Sequence, residues 1–191
     1  PPRSTLFPYT TLFRSSASKQ AAAIGEPGRR ALLEFVQGGR GYLGICAGAY
    51  LATSGFPWSL NILDARTASP LWKRGMGTVQ IELTPEGRAI LGGRPGRHDV
   101  RYANGPILVP AQRDDLPDYQ VLAWFRTELA ENKTPAGLMV NSPAIVAGHC
   151  AQGRVVAISP HPERPGDLQG LVLNAVLWAA GKQPAPTEVS Q

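Results

Sequence analysis

The chain has 191 residues, enough for one sizeable hydrophobic core and short for two. Hydrophobic residues make up 43% and charged residues 17%, a globular rather than disordered composition, and no apolar run approaches the roughly 18 residues that a helical membrane span requires. The net charge of +5 is spread over single basic residues and pairs such as Arg29-Arg30 and Lys73-Arg74, without interleaved aromatics, so a solvated basic surface is expected rather than a nucleic-acid site.

Residues 1–15, PPRSTLFPYTTLFRS, sustain neither helical nor strand periodicity. They look like translated sequencing adapter and are expected to be a non-native leader standing where a genuine N-terminal portion belongs; a natural disordered leader is the alternative. No basic segment followed by an apolar one marks a secretory signal. From Ser16 the pattern is orderly. Pro27 suits a first helical turn, and ALLEFV (31–36) supplies an apolar helical face ended by Gly38-Gly39. Tyr42–Ile45 reads as a short buried strand and 47–54 as the helix that follows it. Strands are expected at 61–69, 78–83 and 119–125, with a short helix over 84–91 carrying a threonine cap and a first-turn proline. The runs 144–150 and 154–160 flank Ala151-Gln152-Gly153 and predict a β-hairpin. The last helix spans 168–180, with Asp167 as its cap and Gly181 as its stop. The tail 183–191 is polar and expected to be loose.

Two segments carry chemistry. Gly44-Ile45-Cys46-Ala47-Gly48 has the G-x-nucleophile-x-G form of a nucleophile elbow, in which a tight strand-to-helix turn holds the nucleophile in strained backbone geometry. Such a turn sets the sulfur near a helix N-terminus, which favours thiolate, and aims the backbone N–H of Ala47 at a developing oxyanion. Ser159-Pro160-His161-Pro162-Glu163 follows an apolar strand, and its two prolines stiffen the loop that presents His161 and Glu163. Glu163 can then orient His161 and stabilise its charged form. Cys46 and Cys150 sit in unlike contexts and make no disulfide framework, which favours a reduced, cytoplasmic setting. His149 and Cys150 are adjacent on a predicted strand, point to opposite faces and are read as structural. His98 is expected in a solvated loop, and Trp58, Trp72, Trp124 and Trp178 as core or interface anchors. Neither a phosphate loop nor a dinucleotide fingerprint nor a metal-ligand spacing appears, so no cofactor and no metal are expected.

The segments GGRGYLGICAGAYLA and SPHPE, together with WKRG (72–75) and YANGPIL (102–108), resemble the class I glutamine amidotransferase superfamily, and most closely the group related to the N-terminal domain of certain biotin-protein ligases. The likeness covers roughly residues 16–181. It implies an α/β fold, a three-layer αβα sandwich around a mostly parallel, flavodoxin-like sheet, occupying 16–182 and lacking its first βα unit or units. It also implies Cys46 as nucleophile, His161 as general base and acid, Glu163 as orienting partner, and Tyr102, Asn104 and Gly105 at the substrate cleft; a plain turn explains the last three equally well. The activity implied is hydrolysis of a carboxamide through a thioester, with a small-molecule amide as substrate and a separate ammonia-accepting protein as a possible partner. A degenerate domain that binds a small ligand or partner without turnover, and a cysteine hydrolase of peptides or γ-glutamyl compounds, are the alternatives.

Overall fold

The computed structural model describes residues 16–164 and 168–182; the expected leader, the expected loose tail and Asp167 lie outside the described residues. The elements run α1 (Ala17–Gln37), β1 (Gly41–Ile45), α2 (Ala47–Ala52), β2 (Ala65–Thr67), β3 (Met76–Leu83), α3 (Pro85–Leu91), β4 (Arg97–Ala103), β5 (Leu108–Pro110), β6 (Gln120–Phe125), β7 (Pro143–Cys150), β8 (Gly153–Ile158) and α4 (Gln169–Ala179). α1 breaks at Gly25, whose φ of 64° and ψ of 179° are not helical, and Pro27 falls in the turn after the break. Thr84 caps α3 by accepting from the Gly87 N–H at 2.9 Å, with Pro85 at the first helical position. Leu168 occupies the cap position of α4, and Gly181 follows it with a left-handed φ of 76°.

Six strands form one sheet in the order β1-β8-β7-β6-β3-β4, and β2 pairs with β5 beside it. Of the five pairings in the large sheet, only β1–β8 is parallel; β8–β7, β7–β6, β6–β3 and β3–β4 are antiparallel. This overturns the expected three-layer sandwich around a mostly parallel, flavodoxin-like sheet: the sheet is mixed, mostly antiparallel and curled into a half-barrel. The reason lies in the connections. Parallel neighbours need a crossover of about a dozen residues or more, normally helical. Here β7 and β8 are joined by the turn at Ala151-Gln152, and the run from β6 to β7 contains no helix.

Alternation along β7 and β8 sorts the core. Val146, Val155 and Ala157 join Ala21, Val36, Ala49 and Ala52 of α1 and α2. Ile145, Ala147, Val156 and Ile158 join Leu91 of α3 and Leu171, Ala175 and Ala179 of α4. Both faces of the central hairpin are therefore dry, which explains why AIVAG and VVAI read as nearly continuous apolar runs. The strand expected over 61–69 shrinks to β2, β4 and β5 were not anticipated, and His98 lies on β4 rather than in a loop. His149 and Cys150 do face opposite ways, the first exposed with its ring 5.8 Å from Trp178 and the second buried. Trp58 and Trp178 pack against the two core clusters, whereas Trp72 is exposed. No helix among the described residues is long and apolar enough to cross a membrane.

Candidate active site

The single parallel pairing builds the site. In it Ile45 stands opposite Ile158, so the residues that leave β1 and β8 emerge side by side at the same sheet edge. Cys46 follows one strand and Ser159 the other, and the Cys46 N–H extends the pairing by donating to the Ile158 carbonyl at 2.8 Å. Curling brings the far edge of the sheet to the same place. The end of β4 bridges to the loop after β8, with the His161 N–H donating to the Arg101 carbonyl at 2.7 Å. Segments far apart in sequence thus converge on one sulfur.

Cys46 has φ 51° and ψ −101°, an unfavourable conformation for a side-chain-bearing residue and the kind of strain expected at an elbow. Its residue is part-exposed rather than sealed in hydrocarbon. The thiol donates to the Ala103 carbonyl at 3.3 Å. His161 Nδ1 lies 2.7 Å from Glu163 Oε1, which leaves Nε2 for the sulfur. The Cys46 side chain exerts the largest influence on the ring; with the Glu163 bond it overrides burial and carries the His161 pKa from 6.5 up to about 9. Burial acts upward on the Glu163 carboxyl, but its bonds to His161 and to backbone, together with the neighbouring positive charges, hold it below the usual carboxylate value. His161 therefore stabilises the fold fully below about pH 6.5 and loses that contribution as pH rises through about 9. The contribution of Glu163 is complete above its ordinary 4.5 and is lost as pH falls through its lower folded value. The structure sets His161 and Glu163 in direct contact, with Cys46 near enough to act on the ring. Ala47 is the first residue of α2, where a backbone N–H has no intrahelical acceptor.

Tyr102, Asn104 and Gly105 form the wall beside Cys46, although their polar groups are engaged within the protein. Tyr102 is fully buried and donates to the Gly105 carbonyl at 2.7 Å. Asn104 turns the chain at φ 56°, its side-chain oxygen accepts from Gly75 N–H at 2.8 Å, and its carbonyl accepts from Tyr50 at 3.2 Å. A Cβ on Gly105 would fall 2.1 Å from the Ser159 carbonyl oxygen, so only glycine lets this wall close on the SPHPE loop.

One residue at the site was misjudged from sequence. Arg74, grouped with Lys73 as solvated basic surface, is 2% exposed. Its Nη2 donates to Glu128 Oε1 at 2.6 Å. Lys73 behaves as expected, exposed with its ammonium 5.5 Å from the Trp72 ring. Among the described residues no group of three or more His, Cys, Asp or Glu side chains is arranged to hold a metal ion.

No protein-family model matches the chain, and no curated protein matches it. Solved structures of similar shape include a ThuA-like protein from Bacteroides uniformis, with a TM-score of 0.55 and 18% identity over 84% of this chain and 68% of that one. PurLQS from Thermotoga maritima aligns with a TM-score of 0.52 and 18% identity over 82% of this chain and 70% of that one. A cytoplasmic protein from Salmonella typhimurium gives 0.53 and 15% over 80% and 60%. The chain spans only 21% of a matching β-galactosidase from Bacillus circulans, at a TM-score of 0.49. Identities this low bear on fold alone, and the fold that the first two likenesses point to is glutamine amidotransferase-like.

Proposed function

We propose that the chain is a cysteine-nucleophile amidase of the class I glutamine amidotransferase type, related to the biotin-protein ligase N-terminal-domain-like group. The observation that carries this reading is the meeting of Cys46, His161 and Glu163 at one sheet edge, with the imidazole bonded to the carboxylate and governed by the thiol. The thiol proton passes to His161, and the sulfur attacks the carboxamide carbon while the Ala47 N–H faces the developing oxyanion. An imidazole protonated up to about pH 9 is a ready proton donor at neutral pH, so His161 gives its proton to the departing ammonia. The acyl group is then a thioester on Cys46. Water, deprotonated by His161, adds to it, and the carboxylic acid leaves with the thiol restored. Glu163 keeps the ring oriented and its charge compensated throughout.

Alkylation with iodoacetamide near neutral pH, mapped by mass spectrometry, tests the reading. Cys46 is expected to react first, because Cys150 is 3% exposed and burial pushes its thiol up. Exposure alone would give some selectivity, so the deciding comparison is His161→Ala, in which Cys46 labelling should fall toward the rate of Cys150. Undiminished labelling of Cys46 without the imidazole would favour a domain that binds a ligand or partner without turnover.

A further inference from the structure

The outer edge of β4 presents backbone carbonyls to the site. Just beyond the last β3–β4 pair, Met76 and Ala103, Asn104 turns its backbone toward β3, its N–H donating to the Gly75 carbonyl at 3.0 Å. Backbone groups of successive strand residues alternate between the two edges, so Tyr102 also faces β3, while Arg101 and Ala103 face away from it. The Arg101 carbonyl accepts from the His161 N–H at 2.7 Å, and the Ala103 carbonyl accepts from the Cys46 thiol at 3.3 Å. One acceptor therefore holds the backbone of the base, and the next along the same edge is aimed at the nucleophile.

The acceptor aimed at the sulfur is held from two sides. In a regular antiparallel ladder the Gly75 N–H would return its bond to the Asn104 carbonyl. Here Asn104 Oδ1 takes that bond at 2.8 Å, the residue turns at φ 56°, and its own carbonyl swings to the Tyr50 hydroxyl at 3.2 Å. Tyr50 lies on α2, one helical turn beyond Cys46, and its N–H donates to the Cys46 carbonyl at 3.1 Å. Cys46, Tyr50, Asn104 and Ala103 thus close a ring of bonds that fixes the Ala103 oxygen relative to the sulfur.

We infer that the Ala103 carbonyl is the acceptor that reads the leaving nitrogen of the substrate, selecting carboxamides over esters of the same acid, and that Tyr50 and Asn104 are the positioning residues that aim it. This deepens the amidase reading and rests on it. When the thiol proton passes to His161, the Ala103 carbonyl loses its donor, and a part-buried acceptor left without one is costly. The carbon under attack comes to about 3–3.5 Å from the sulfur, which brings its leaving group within reach of an oxygen 3.3 Å from the same sulfur. A carboxamide offers that oxygen an N–H and restores the lost bond. An ester offers only a second acceptor, and the two oxygens repel.

Hydrolysis of L-glutamine and of glutamate γ-methyl ester, each followed as kcat/KM for release of glutamate, tests this. Esters are intrinsically the easier acyl donors, yet the unaltered chain should take the amide at least as fast. Tyr50→Phe removes only a hydroxyl and keeps the ring that packs edge-on against Phe56. In it the amide-to-ester ratio should fall by about 10-fold, the worth of an acceptor no longer aimed at its donor. Asn104→Gly keeps the left-handed turn but loses Oδ1, and should lower the ratio in the same direction. Intrinsic reactivity cancels in this comparison, and a general loosening of the fold slows both substrates alike, so the ratio reports on the carbonyl. An ester preferred by the unaltered chain, or a ratio that neither substitution moves, overturns this inference and leaves the amidase reading intact. Turnover of neither substrate sinks both.

Discussion

His161→Ala is expected to lower ammonia release from glutamine by roughly 10²- to 10⁴-fold, the usual worth of a positioned acid–base group. Two demands fall on this one side chain. It accepts the proton that frees the sulfur, and it returns a proton to the departing nitrogen. Deleting it leaves Glu163 with an uncompensated charge beside Cys46, so added imidazole would restore only part of the rate. Glu163→Gln should be milder, because the ring remains and only its orientation and charge balance are disturbed. A coupled ammonia assay on the three proteins, with circular dichroism to confirm folding, checks the ranking. Equal rates for the unaltered chain and His161→Ala would remove the imidazole from the mechanism.

Gly44→Ala is expected to be the most damaging single methyl group in the elbow. A Cβ there would lie 2.4 Å from the Gly48 carbonyl oxygen and 2.8 Å from the Tyr42 ring. Both atoms belong to the helix and strand that flank Cys46, and the Gly48 carbonyl also accepts from the Tyr42 hydroxyl at 2.8 Å. Backbone cannot yield as a flexible side chain does, so an overpacking penalty of about 1–3 kcal/mol is expected, or a fall in Tm of roughly 2–12 °C for a domain of this size. Gly48→Ala is the control. Its Cβ would meet only the Tyr42 hydroxyl at an ordinary 3.7 Å, inside a helix where alanine is preferred by about 1 kcal/mol. Thermal melts of the pair should therefore separate clearly. Equal melting temperatures would mean that strand and helix do not close tightly enough here to exclude a methyl group.

The contrast shows what the G-x-C-x-G pattern conveyed and what it concealed. It announced a strand, a sharp turn and a helix, and the strained φ of Cys46 bears that out. It did not distinguish the glycine that tight packing demands from the one that it merely tolerates. Local signals were otherwise legible: the Thr84 cap, the turn at Ala151-Gln152, the helix stop at Gly181, and the pairing of His161 with Glu163 two residues on. Sheet topology was not. The parallel sandwich came from resemblance, while the hairpin read at 144–160 had already committed its two strands to run antiparallel. β4 escaped notice because only Val100 and Tyr102 of RHDVRYA are buried, too few apolar positions to announce a strand. Its importance is non-local, since curling of the sheet carries Ala103 to the sulfur. Arg74 was equally hidden, for a charged residue in an irregular segment is ordinarily solvated.

Titration of the His161 ring by NMR, in the unaltered chain and in Cys46→Ser, reads the coupling of thiol, imidazole and carboxylate with no substrate needed. A midpoint near 9 that drops clearly when the sulfur is removed is the expected result, because Cys46 contributes most to the elevation. A midpoint near 6.5 in both proteins would mean that the imidazole is indifferent to the sulfur, and the three side chains would then be neighbours without being a catalytic unit.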